Sequence, residues 1–158
     1  MLARVRGLLR RKNEGGALVE IAVTLPIVFL IMTGIFAFSI ALYQKLQLAE
    51  AVSAGGRTLA SDRGDTDPCK TTATAVSAAA PGLTASKIMV TIVLNGVTSA
   101  NGVASGSATC AGTGNTANTN MVSGASASLT ATYACTVKMY GFSLPNCSLG
   151  SSVTEEVQ

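Results

Sequence analysis

The most prominent pattern in the chain is one long apolar run. Residues Ile21–Leu42 contain no charged side chain. A helix of this length spans about 33 Å at about 1.5 Å per residue, which matches a hydrocarbon core of about 30 Å. A buried core helix and a signal peptide cleaved near Ser39-Ile40-Ala41 are the alternatives. The run exceeds the usual signal-peptide core of about 7–15 residues, so it predicts a single membrane span.

A helical period continues beyond the apolar run. Apolar and small residues recur at intervals of three and four along one face, namely Leu42, Leu46, Ala49, Val52, Gly56 and Leu59. This spacing predicts one helix from about Ala17 to about Leu59. Gly55 and Gly56 weaken a helix by about 1 kcal/mol each relative to Ala, so we expect a bend there. Small residues also allow another backbone to approach closely, from the same chain or from a neighbouring one.

A second, shorter helix follows a polar turn. Asp67 is typical of an N-cap, and Pro68 is typical of the first helical position. Pro81-Gly82 ends the pattern. The sequence therefore predicts a helix over about Pro68–Ala80.

The later part of the chain has the period of β-strands. Residues 87–94 are β-branched and apolar on both faces, which predicts a strand in the centre of a sheet. Asn95-Gly96 is a strong hairpin signal that leads into a strand over about Val97–Ala100. Alternating residues over Leu129–Lys138, and again over about Ser151–Val157, predict two further strands.

Residues 101–128 are mostly Gly, Ala, Ser, Thr and Asn. They are too poor in hydrophobes to form a core, so we expect an exposed loop or weak strands, held by Cys110. The predicted fold class is therefore α+β. A long N-terminal transmembrane helix precedes a small disulfide-bonded domain with one short helix and an antiparallel sheet of three or four strands.

The net charge of +3 has its source at the N-terminus. The first twelve residues contain no acid, and their cations are Arg4, Arg6, Arg10, Arg11 and Lys12. Positive side chains before a span place the N-terminus in the cytoplasm and residues 43–158 in the periplasm or outside the cell. We therefore interpret this arm as a signal for membrane orientation and expect no nucleic-acid partner.

All four cysteines lie beyond the span, at Cys69, Cys110, Cys135 and Cys147. They form no C-x-x-C pair and no histidine accompanies them, which argues against a zinc site. In an oxidising compartment they are expected to form two disulfides. Three pairings are possible, and we favour Cys69–Cys110 with Cys135–Cys147 because each pair is consecutive. Four free thiols are the alternative.

The composition argues against an enzyme. Histidine is absent and only 12% of residues are charged, which leaves few groups for acid–base chemistry. Asp62, Asp65 and Asp67 alternate as calcium ligands can, but the loop lacks the glycine and the distal glutamate of an EF-hand. We interpret it, with the adhesion-type tripeptide at 63–65, as a solvated turn. We expect no catalytic residue, no metal and no cofactor.

One acidic residue, Glu20, stands directly before the apolar run. A carboxylate is costly in lipid, so Glu20 either reaches the interface or has a partner or a function. Its surroundings, GGALVEI over residues 15–21, resemble the cleavage region of type IV prepilins. The closer resemblance is to the TadE-like pseudopilins of tight-adherence (Flp-type) pili. Pro26 and the segment AEAVSAGGRTLA at 49–60 extend the resemblance to about residues 14–60.

The resemblance implies processing and assembly. In that superfamily a membrane peptidase cuts after a glycine, and glutamate is the fifth residue of the mature chain. A cut between Gly15 and Gly16 makes Glu20 the fifth residue. By the family's pattern, Glu20 compensates the new N-terminus of a neighbouring subunit. Pro26 lacks an N–H, so we expect a kink near it, with an ordinary tolerated proline as the alternative.

The resemblance also divides the chain into three parts: a leader over 1–15, a transmembrane and assembly helix over 16–60, and a pilin-like domain over 61–158. The hypothesis is a minor pilin or pseudopilin, because the family's major pilins are much shorter. It would cross the bacterial inner membrane once, with its C-terminus periplasmic, or extracellular in a pilus. Expected partners are other pilin subunits, the prepilin peptidase and the assembly platform with its ATPase. Alternatives are the main subunit of a filament, a non-polymerising membrane-anchored scaffold or binding protein, and a secreted domain.

Overall fold

The computed structural model describes residues 2–110, 121–135, 138–139, 142–143 and 147–158, with side chains described from residue 16 onward outside 136–146. The chain divides into two compact units, with the boundary between Ser39 and Ile40.

The first element is the helix α1, Leu2–Ser61. Its C-terminal end lies within two residues of the prediction, but its start near Ala17 was wrong. Residues before Ala17 lack an apolar period, and they include Leu, Arg and Lys, which have high intrinsic helix propensity. Helix can therefore form there without the amphipathic pattern on which the prediction depended.

The second helix, α2, extends over Pro68–Ala79. The Asp67 side chain accepts a hydrogen bond from the backbone N–H of Lys70 at 3.2 Å. This bond satisfies one of the free donors of the first helical turn. The predicted N-cap and the proline at the helix start are confirmed.

Four antiparallel strands form the main sheet, in the order β2-β1-β3-β6. Their bounds are β1 Ile88–Leu94, β2 Val97–Ala104, β3 Ser126–Ala134 and β6 Ser148–Glu156. Short 3-10 turns at Ala85–Lys87 and Ser105–Ser107 flank the first hairpin. A separate two-stranded ribbon consists of β4, Lys138–Met139, and β5, Phe142–Ser143. The sequence did not predict this ribbon, because its strands are too short to show a period.

The predicted central strand and hairpin are confirmed. β1 pairs with β2 on one side and with β3 on the other. Asn95 and Gly96 both have positive φ, 51° and 77°, as a two-residue hairpin turn requires.

The core lies between one face of the sheet and the helices. Leu48, Val52 and Leu59 of α1 are almost fully buried together with Val76 of α2. A Cβ on Gly56 would lie 2.5 Å from Val153 Cγ1, and one on Gly55 would lie 2.8 Å from Leu129 Cδ2. The glycines therefore permit close approach of the sheet of the same chain, which was the first of the two expected possibilities.

Where the structure describes residues 101–128, both ends of the segment form strand, and Cys110 holds the segment through its disulfide. Strand β2 continues to Ala104, and β3 begins at Ser126. Ala108, Met121 and Ala127 are buried in the core cluster. These residues join a core that other segments build, because single apolar residues fill gaps beside the larger ones. Residues 111–120 lie outside the described part.

Two disulfides join the cysteines consecutively. Cys69 is bonded to Cys110, and Cys135 is bonded to Cys147. The first bond connects the start of α2 to the segment after β2. The second connects the end of β3 to the residue before β6.

Candidate membrane and assembly segment

The apolar part of α1 is exposed on every side. From Gly16 to Ile31, every side chain is exposed. Among the described residues, α1 is the one helix long and apolar enough to cross a membrane. Because water solvates such a surface poorly, lipid or other apolar helices must cover it. The helix therefore has the length and composition of a membrane anchor.

The polar side chains within the span bond to their own helix. The hydroxyl of Thr24 donates to the carbonyl of Glu20 at 2.9 Å. Thr33 donates to the carbonyl of Phe29 at 2.6 Å, and Ser39 to that of Ile35 at 2.9 Å. Each hydroxyl is satisfied one turn back, which removes most of the cost of placing it in lipid.

Glu20 lies one helical turn from the proposed cleavage point. Gly15 and Gly16 both lie within α1, and the Glu20 side chain is exposed. Residues 16 and 20 are four apart, so they share a face of the helix. An amino group freed at Gly16 would have the Glu20 carboxylate as a neighbour on its own chain, as well as any carboxylate of a second subunit.

Pro26 lies inside α1, which continues through it as helix. Proline has no backbone N–H, so the Ala22 carbonyl loses the donor that another residue would supply at position 26. The kink expected from the sequence stays a prediction.

The acidic turn beyond α1 is organised by hydrogen bonds. The Asp65 carboxylate accepts the hydroxyl of Thr71 at 2.5 Å, and this bond is the main reason that the pKa of Asp65 lies below its usual value. The pKa of Asp62 is raised above its usual value, mainly by partial burial and to a lesser extent by the negative charge of Asp65. The turn borders a shallow cavity of about 470 Å³ that is open to solvent.

One group near this turn has the composition of a metal site. The carboxylate of Asp67 and the sulfurs of Cys69 and Cys110 lie within 4.8 Å of one another. The two sulfurs are bonded to each other, and the carboxylate is occupied by N–H and O–H donors. Metal binding requires thiolates, so the oxidised chain does not present this group as a ligand set.

Sequence reasoning missed the tertiary contacts of the Lys45 and Asp67 side chains. The Lys45 ammonium donates to the backbone carbonyl of Gly150. Asp67, beyond its role as N-cap, accepts bonds from Thr109 and Cys110. Neither contact has a local sequence signal, because the partners are far apart in the chain.

Comparison with known proteins identifies the N-terminal part of the chain. Residues 15–57 match the family described as TadE-like protein. No curated protein and no solved structure shows significant similarity to the chain. The matched residues contain Gly15, Gly16, Glu20 and Pro26 and end in the glycine-rich part of α1. The resemblance noted from the sequence is confirmed. Residues 15–57 are therefore similar to the TadE-like family, and the rest of the chain lies outside the match.

Proposed function

We propose that this chain is a TadE-like pilin or pseudopilin subunit that takes part in assembling a tight-adherence-type pilus. It enters the assembly through α1 after removal of residues 1–15. The observation that carries the proposal is the family match over residues 15–57, because residues 16–32 within the match form an exposed, largely apolar helix. A helix of this kind can leave lipid only if other apolar helices cover it, which is what a filament core provides.

The charges at the start of the mature helix support the same proposal. A new α-amino group on Gly16 and the Glu20 carboxylate would be opposite charges near a medium of low dielectric constant. Pairing between them costs much less than leaving either alone. The Glu20 carboxylate can pair with the amino group of its own chain or with that of a neighbouring chain, and these two pairings compete. Where a neighbouring amino group is in place, the pairing between chains favours assembly. This gives Glu20 a role in the register of subunits.

The two glycines support cleavage at their shared bond. Peptidases bind their substrates in an extended form, so a helical segment must unwind first. Gly15 and Gly16 each lower helix stability by about 1 kcal/mol relative to Ala. Residues 15–16 are thus a point where α1 opens at low cost.

The proposed location rests on the charges that flank the apolar run, and the proposed partners rest on the TadE-like match. The cationic arm faces the cytoplasm, α1 crosses the inner membrane once, and the disulfide-bonded unit faces the oxidising side. The partners are other pilin subunits, the prepilin peptidase, and the assembly platform with its ATPase. We expect the domain outside the membrane to act by contact and not by catalysis.

The first experiment determines the N-terminal residue and the intact mass of the protein isolated from its own host. The proposal expects a mature chain that begins at Gly16. Gly15→Leu is expected to block the cut, whereas Gly16→Ala, which leaves the glycine before the bond in place, is the matched control. A mature chain that still carries residues 1–15 would favour a permanent membrane anchor. A start near Leu42 would contradict both and indicate a secreted domain.

The second experiment tests assembly. Glu20→Ala is expected to abolish recovery of the protein in sheared surface filaments while leaving it in the inner membrane. Glu50→Ala, which removes an exposed glutamate from the same helix, is the control and is expected to assemble normally. Normal assembly of Glu20→Ala would remove the proposed role of this carboxylate. If the wild-type chain is absent from every filament, it is instead a non-polymerising scaffold. If it dominates them, it is the main subunit.

A further inference from the structure

The carboxylate of Asp67 holds together two parts of the chain that are distant in sequence. Oδ1 accepts the backbone N–H of Lys70 at 3.2 Å and that of Cys110 at 2.9 Å. Oδ2 accepts the hydroxyl of Thr109 at 2.5 Å. One side chain therefore caps α2 and fixes residues 109–110 against the same end of that helix.

The first disulfide lies at this junction. Cys69 follows Asp67 by two residues, and Cys110 is the residue whose N–H Asp67 binds. Their Cα atoms lie 5.4 Å apart, and both side chains are buried. The hydrogen bonds of Asp67 involve no sulfur atom, so they can form while both cysteines are still thiols.

We propose that Asp67 is a positioning residue for oxidation of the Cys69–Cys110 pair. In the reduced chain its carboxylate docks Thr109 and Cys110 on the first turn of α2 and holds the two thiols side by side. An isolated pair separated by 41 residues would otherwise have to close a long flexible loop to meet.

The chemical step needs an oxidant that itself contains a disulfide, such as a thiol oxidase or oxidised glutathione. One cysteine thiolate attacks a sulfur of the oxidant and expels its other sulfur as a thiolate. The second cysteine thiolate then attacks the mixed disulfide and expels the remaining thiolate. The chain loses two electrons and two protons, and the oxidant becomes two thiols. Asp67 acts on the second attack, because it keeps the two cysteines together.

The other disulfide supplies an internal reference. Cys135 and Cys147 are separated by only 12 residues, and the Cys135 N–H donates to the Cys147 carbonyl at 3.1 Å. The antiparallel pairing of β3 with β6 thus brings these cysteines together. The bonds of Asp67 to residues 70, 109 and 110 are not part of that ladder, so a change at Asp67 or Thr109 should leave this pair unaffected.

The experiment measures the effective concentration of each cysteine pair. The full chain in detergent is equilibrated in glutathione redox buffers with EDTA to exclude metal, and trapped thiols are assigned by mass spectrometry. Thr109→Val is expected to lower the effective concentration of Cys69–Cys110 about tenfold, the loss typical of one charge-assisted hydrogen bond, and to leave Cys135–Cys147 unchanged. Thr109→Ser keeps the donor and is expected to restore the wild-type value.

Two further variants separate this role from helix capping. Thr71→Val removes an equally short hydroxyl bond to the neighbouring Asp65, with a longer contact of 3.3 Å to the backbone carbonyl of Asp67, but no bond to the Asp67 carboxylate. It is the matched control, with no expected effect on either pair. Asp67→Ser keeps an N-cap oxygen but has no second oxygen for Thr109. It is therefore expected to lower the effective concentration of the Cys69–Cys110 pair and to leave that of the Cys135–Cys147 pair unchanged. Values for Thr109→Val within about twofold of wild type, or an equal fall in both pairs, would overturn the proposal.

Discussion

The Lys45 side chain of α1 bonds to the backbone carbonyl of Gly150 on β6. β6 is an edge strand of the main sheet. Two backbone bonds at the ends of the β3–β6 ladder show which residues of this segment bond to the β3 side. They run from the Cys135 N–H to the Cys147 carbonyl and from the Val157 N–H to the Ala125 carbonyl. By the alternation of an antiparallel ladder, the backbone groups of Gly150 point away from β3. Lys45 therefore satisfies a carbonyl at the free edge of the sheet.

The far end of β6 is held by the same helix. The backbone N–H of Gln158 donates to the carbonyl of Ala60 at 3.1 Å. Contacts at Lys45 and Ala60 place the C-terminal third of α1 along this edge. A charged side chain and a covering helix are two of the ways in which proteins protect an edge strand from pairing with another chain.

We expect Lys45→Ala to lower the free energy of unfolding by up to about 1 kcal/mol, because a partly exposed charge-assisted hydrogen bond is lost. Urea unfolding of the full chain in detergent, followed through the buried ring of Tyr133, measures the change. Lys87→Ala, on the turn before β1, is the matched control. If the two variants unfold alike, the Lys45 contact contributes nothing of its own.

The glycine pair in α1 yields a prediction with a defined sign. In a helix, Gly→Ala usually stabilises by about 1 kcal/mol. At Gly55 the added Cβ would meet Val76 Cγ2 and Leu129 Cδ2, and at Gly56 it would lie 2.5 Å from Val153 Cγ1. We expect Gly55→Ala and Gly56→Ala to destabilise the chain instead, by about 1–3 kcal/mol from overpacking.

Gly34→Ala is the control for this pair, because a Cβ at Gly34 would have no heavy atom within 4 Å beyond its own helix and neighbours. The same urea titration is expected to show no loss for it. Stabilisation by alanine at Gly55 would mean that the helix and the sheet are not packed as closely as described.

Local chemistry explains what the sequence predicted. Asn95-Gly96 specifies the hairpin turn, and Asp67-Pro68 specifies the start of α2, because each acts on its own backbone. Met121 and its exposed neighbour Val122 form an isolated apolar pair in a polar segment, so no period reveals which of them is buried. The bonds from Thr109 and Cys110 to Asp67 depend on the packed fold in the same way.

In the candidate membrane and assembly segment, too, some features depend on local sequence and others depend on contacts with distant groups. The apolar run and the positions of Glu20 and Pro26 can be read directly from the chain, because membrane spans and proline have strong composition signals. The role proposed for Glu20 depends on the charge of a second subunit, and no pattern within one chain specifies that partner.

The two disulfides are expected to differ in their contribution to stability. They close loops of sequence separation 41 and 12, respectively. Loop-closure entropy in the unfolded chain makes the longer link worth about 1 kcal/mol more. The double variant Cys69→Ala with Cys110→Ala should therefore unfold at lower urea than Cys135→Ala with Cys147→Ala. The reverse order would show that strain or residual structure outweighs chain entropy.

Asp62 is expected to destabilise the folded chain at neutral pH. Burial, and then the charge of Asp65, raise its pKa above the usual 3.8, and its Oδ2 has no hydrogen-bond partner among the described residues. A carboxyl with a higher pKa in the folded state disfavours folding once it ionises. Asp62→Asn should therefore raise the free energy of unfolding at pH 7, and this gain should vanish as the pH falls below about 3.

Asp67 is expected to behave in the opposite way. Partial burial acts to raise its pKa, but the hydrogen bonds from Cys110, Thr109 and Lys70 outweigh it and bring the pKa below 3.8. Its contribution is therefore present above the unfolded value and is lost as the pH falls through the folded value. Asp67→Asn should lower the free energy of unfolding at pH 7, with a deficit that shrinks in acid. Urea midpoints at pH 7 and in steps down to about pH 2.5 test both variants together. The two pKa shifts have opposite signs, so the changes in unfolding free energy caused by the two substitutions should have opposite signs at pH 7. Changes of the same sign would contradict these opposite shifts.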